Sequence, residues 1–118
     1  MRGRLEWAEL EAPALQGNPL GDPARRPLLV YLPPGYDSGS QGRTRFASVY
    51  FLHGFTGSAR AWTNVSAFQP SVPERLDALV ADGTVPPVVG VFVDGWTRLG
   101  GSQWIDSPGV GEIGRAHV

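Results

Sequence analysis

The sequence predicts an α/β fold, a mostly parallel sheet with helices on its faces. Three observations carry that prediction. Two nearly continuous apolar runs, Ser48–Leu52 and Val88–Val93, suit strands buried on both faces of a sheet. A helix signal lies between them, so strand, helix and strand follow in the order of a βαβ crossover. The 16 glycines and 11 prolines fall between the apolar runs, where they punctuate a fold instead of dissolving it.

Taken in order, Leu5 to Leu10 reads as a first, weaker strand, followed by the turn-rich stretch Gly17-Asn18-Pro19-Leu20-Gly21-Asp22-Pro23. Leu28–Leu32 is a second strand, stopped by Pro33-Pro34-Gly35, which cannot extend a ladder. Ser38–Gly42 makes a loop of glycine and serine. Ser48–Leu52 is the third strand and ends at His53-Gly54. For the helix, Ser71 can accept from the Glu74 backbone N–H while the Glu74 side chain returns to Ser71, with Pro73 tolerated in the first turn. Val72, Leu76, Leu79 and Val80 recur at helical spacing, and Gly83 supplies a left-handed stop. The fourth strand, Val88–Val93, closes at Asp94-Gly95.

Composition narrows the function classes. At 118 residues the chain can build one core. A net charge of -1 leaves no electrostatic footprint for nucleic acid or an anionic membrane. No apolar run is long enough to span a bilayer, and Met1-Arg2-Gly3-Arg4 leads into an acidic stretch unlike a signal peptide, so a soluble, cytoplasmic protein is expected. There is no cysteine, hence no thiolate nucleophile and no Cys-based zinc site. Two histidines cannot build a His-rich metal centre, so neither metal nor cofactor is expected.

Three segments share an order and spacing with one known group: Val30–Asp37, then Tyr50–Ser58 with Trp62 beyond, then Val93-Asp94-Gly95 and Gly100-Gly101-Ser102-Gln103-Trp104. Together they resemble the putative-esterase family of α/β-hydrolases, the serine esterases related to S-formylglutathione hydrolase, feruloyl esterases and mycolyltransferases. The likeness runs from Leu15 to Gly111 and concerns the N-terminal portion of that fold. It implies a small-molecule ester substrate and no cofactor.

In such enzymes a serine attacks the ester, and two backbone N–H groups hold the oxyanion, one of them from a loop after an early strand. By resemblance that loop is His53–Gly57, with the Phe55 N–H as donor and His53, Gly54 and Gly57 as its support. Trp62, Trp96 and Trp104 lie in loops at the ligand-binding edge of the strands, where they wall a pocket or cap the core. Asp94 reads as a turn-forming residue bonding its own backbone. The nucleophile elbow needs Gly-x-Ser-x-Gly, and no serine here has both glycines; Ser102 comes nearest. The expected object is therefore an α/β-hydrolase domain over residues 1–111, truncated before its elbow and its triad, and inactive alone. A small non-catalytic α/β binding module is the rival reading, and an enzyme working through His53 with Ser58 or Ser102 lacks both elbow and acid. The final Glu112–Val118 resembles translated sequencing-adapter DNA and is expected to be an artefactual tail.

Overall fold

The computed structural model describes residues 1–37 and 45–117; the glycine and serine loop expected at Ser38–Gly42 lies outside them. Four strands and one helix follow in chain order: β1 Arg4–Glu11, β2 Arg25–Leu32, β3 Ala47–Phe51, α1 Val72–Ala81 and β4 Val88–Phe92. They form one sheet in the order β1-β2-β4-β3. The sheet is mostly antiparallel. β1 pairs with β2 antiparallel from Arg4↔Leu32 to Glu11↔Arg25, and β2 pairs with β4 antiparallel from Leu29↔Phe92 to Tyr31↔Gly90. Only β3 and β4 run parallel, from Ala47↔Val88 to Phe51↔Phe92, because only between them does a helix carry the chain back. The expectation of a mostly parallel sheet is thus corrected: unbroken apolar character records burial, and burial does not encode direction.

α1 forms as its sequence dictates. Ser71 Oγ accepts from the Glu74 N–H at 3.4 Å, and the Glu74 carboxylate accepts from the Ser71 N–H at 2.6 Å. Gly83 takes a left-handed φ of 81°, closed to most side chains. The face turned to the sheet carries Val72, Pro73, Leu76, Asp77 and Val80, while Leu79 points to solvent. Leu76 meets a sheet in which Leu29, Tyr31 and Phe92 are fully buried, with Leu5, Phe51 and Trp62 around them. Gly90 lets the helix come close, since a Cβ there would lie 3.1 Å from a Leu76 methyl.

β4, at the centre, is buried on both faces as its sequence requires. β3 is not. It is an edge strand, and Tyr50 and Leu52 on its far face stand in the open. A smaller core unites Ala12 and Leu15, at the turn Pro13–Leu15, with Ile113 and Ala116. Residues of the expected tail thus pack against the connection between β1 and β2. No helix among the described residues is long and apolar enough to cross a membrane.

Candidate active site

Because β3 and β4 are parallel neighbours, the chain leaves both at the same end of the sheet, and the loops that follow must meet. They meet at His53. Its imidazole is buried, and the Gly95 backbone N–H donates to Nε2 at 2.9 Å. An amide N–H can only donate, so Nε2 is the acceptor and the ring proton sits on Nδ1, 2.8 Å from the Gly54 carbonyl it donates to. The Trp104 indole N–H donates to the His53 carbonyl at 2.9 Å, with the two rings 4.9 Å apart. Both imidazole nitrogens are therefore occupied in holding the loop, and neither is free to take a proton from a serine.

The other end of the loop is held by the neighbouring residue. Asp94 Oδ1 accepts the Ala59 N–H at 2.8 Å, and Oδ2 lies 3.5 Å from Arg26 Nη1 in a buried ion pair. Arg26 also donates to the Trp96 carbonyl. Asp94 thus bonds across the fold and not to its own turn, because the turn Ala59–Thr63 arrives directly over it with an unpaired N–H to satisfy. Asp94 and Gly95 together bracket the segment from His53 to Ala59. Sequence reasoning missed Arg26, whose only signal was a cation next to Pro27 at the start of an apolar strand.

Within the bracket, the Gly57 N–H closes a tight turn on the Gly54 carbonyl at 2.9 Å, and a Cβ at Gly57 would press 2.8 Å from that of His53. Among the described residues the N–H groups of Phe55 and Thr56 make no hydrogen bond. The Phe55 carbonyl is covered by the next loop: a Cβ at Gly101 would sit 1.9 Å from it. Beside this contact opens a cavity of about 220 Å³ lined mainly by Phe55, Leu99, Ile105 and Val110, with Ser102 in its wall. Ser102 is buried, and its hydroxyl has no hydrogen-bond partner, so neither a base nor an acid is coupled to it.

The three tryptophans go to three places. Trp62 joins the core against Phe51 and Phe92, at centroid distances of 6.0 and 5.6 Å. Trp104 backs His53. Trp96 lines a separate groove with Pro27, Ser58, Arg60 and Asp94. None of them lines the cavity at Phe55. His117 lies 5.8 Å from the Trp104 ring; burial, together with Arg26, lowers its pKa from the ordinary imidazole value, against an opposing pull from Asp94.

No family model matches the sequence, and no curated protein matches it. Solved structures do. One is a ferulic acid esterase, at a TM-score of 0.72 and 19% identity, over 96% of this chain and 39% of that one. Another is a mutant of the feruloyl esterase module from Clostridium thermocellum, complexed with sinapinate, at a TM-score of 0.57 and 19% identity, over 77% of this chain and 26% of that one. This chain thus matches well under half the length of either esterase, and what it shares with them is the fold.

Proposed function

We propose that this chain forms the oxyanion side of a serine esterase acting on carboxylic esters or thioesters, with the nucleophile, acid and histidine supplied by residues outside this sequence. The observation that carries the reading is the Phe55 N–H, unpaired among the described residues, in a loop fixed at both ends and on a residue that lines an apolar cavity. A backbone donor stabilises an oxyanion only if it is held before the charge develops, and the bracket from Asp94 and Gly95 does that holding. The loop's own histidine has no nitrogen to spare, so the general base must come from elsewhere. Gly57 gives the turn its tightness, since a Cβ there would press on His53, whereas a Cβ at Gly54 would meet nothing; the cavity offers room for one arm of the ester.

On this reading the chain alone does not turn over p-nitrophenyl acetate and is not labelled by a fluorophosphonate probe. Labelling at one serine, abolished by Ser58→Ala or Ser102→Ala, would place the nucleophile here and end the proposal. In a longer polypeptide carrying Gly-x-Ser-x-Gly downstream, Phe55→Pro deletes the donor and is expected to lower kcat by about 10²- to 10³-fold. Unchanged turnover in that variant would refute the role of Phe55.

A further inference from the structure

Two grooves of about 320 and 340 Å³, lined by none of the residues of the Phe55 cavity, meet at a shared floor of Pro27 and Arg60. Trp7 and Glu9, alternate residues of β1 and hence on one face, border the first. Trp96 and Ser58 border the second. Both indoles are about half exposed, Trp7 at 47% and Trp96 at 46%. Between them stands Arg60, its guanidinium 5.3 Å from the centre of the Trp7 ring.

The charge balance of this trough is unequal. Glu9, the acid next to Arg60, is turned to Arg25 at 3.4 Å. Asp94, which lines the second groove with Arg60, is taken up by the Ala59 N–H and Arg26, and among the described residues Arg60 makes no ion pair, so its fork of donors faces the trough with no carboxylate bound to it. Stacking on Trp7 orients that fork while leaving its edge open. The surface is two flat aromatic faces either side of one oriented, unneutralised cation.

We propose that the trough binds an acidic oligosaccharide, with a uronate carboxylate on Arg60 and the neighbouring sugar rings laid on Trp7 and Trp96. A planar guanidinium takes a carboxylate through two parallel hydrogen bonds, and indole faces accept the weakly polarised C–H side of a pyranose. A neutral glycan would cover Arg60 without satisfying it. The site shares no lining residue with the Phe55 cavity and stands whether or not the chain belongs to an esterase.

Titration calorimetry of the intact chain with trigalacturonate and with neutral cellotriose, at low salt, tests this. The acidic trisaccharide is expected to bind about tenfold tighter or more, the scale of one charge-assisted pair, with a preference that fades as salt is added. Arg60→Gln should erase the preference, Arg60→Lys should keep part of it, and Trp7→Ala should weaken both sugars by about fivefold or more. Both side chains, Arg60 and Trp7, are at the surface, and an unchanged circular dichroism spectrum separates lost binding from lost fold. Equal affinity for the two sugars, no saturable heat with either, or an Arg60→Gln variant that binds like the parent would each overturn the proposal.

Discussion

Replacing Asp77 by alanine is expected to cost this chain about 3–5 kcal/mol, a large share of the stability of a domain this size. Asp77 sits buried on α1 and accepts three hydrogen bonds. The Arg2 N–H reaches Oδ2 at 2.9 Å; the Gly3 N–H and the Tyr31 hydroxyl reach Oδ1 at 2.7 and 3.0 Å. One carboxylate thereby fastens the segment before β1 to the helix and satisfies the only polar atom of a fully buried tyrosine. The two backbone donors are near the surface and regain water when Asp77 is lost, so each accounts for about 1 kcal/mol. The Tyr31 hydroxyl has nowhere to go, and leaving it orphaned adds about 1–3 kcal/mol.

That division is testable with a double-mutant cycle. Tyr31→Phe alone should cost about 1–1.5 kcal/mol, but in the Asp77→Ala background it removes an orphan and should cost nothing, a coupling of about 1–1.5 kcal/mol. Urea unfolding followed by tryptophan fluorescence, at a concentration low enough to keep the chain monomeric, reads both. The pH dependence follows with a definite sign. Burial pushes the Asp77 carboxyl up, yet the Gly3 and Arg2 N–H groups and the Tyr31 hydroxyl together outweigh it, so the folded pKa is below the ordinary one. A depressed carboxylate stabilises fully above its unfolded pKa of about 3.9 and loses that contribution as pH falls through the folded value. The gap between parent and Asp77→Ala should therefore be constant above about pH 5 and narrow below about pH 4. Additive single mutants, or a gap that stays flat down to pH 2, would refute the assignment.

Three further outcomes are expected. Asp94→Ala leaves Arg26 buried without its counter-charge and should cost about 3–5 kcal/mol, part of which returns in the double variant with Arg26→Met; urea midpoints check it. Gly101→Ala puts a methyl 1.9 Å from the Phe55 carbonyl, so one loop must move, and a loss of about 1–3 kcal/mol with displaced amide resonances at Phe55 and Gly54 should be seen by NMR. Tyr50, 56% exposed on the edge strand β3, should promote pairing between chains; Tyr50→Lys is expected to lower the self-association measured by sedimentation velocity, and an unchanged sedimentation profile would exonerate that edge.

What the sequence disclosed was local. The Ser71 and Glu74 cap, the Gly83 stop and the positions of all four strands rest on neighbours a few residues apart, and the structure has them there. What it concealed was long-range. Nothing near Ser48–Leu52 says that β3 lies at an edge, since its apolar run is the same whether another strand covers it or not. Nothing near Trp62, Trp96 and Trp104 says that one enters the core, one borders a groove and one supports a histidine, because a tryptophan in a loop looks alike in all three settings.

The candidate site shows how a minor feature of the sheet can set the geometry. Two of the three strand pairings are antiparallel, and they build the core around Leu29, Tyr31 and Phe92. The single parallel pairing sends residues 53 and 94 out of the same end of the sheet, one from each of two adjacent strands. Adjacency makes the two new bonds short-range in space though 35 and 42 residues apart in sequence: Asp94 to the Ala59 N–H, and the Gly95 N–H to His53. Reverse β4 and its last residue would leave at the opposite end, with no donor for His53 Nε2 and no acceptor for Ala59. The loop carrying Phe55 is therefore held by the crossover itself, and the helix that makes the crossover possible does so with Ser71, Glu74 and Gly83, far from any group it positions.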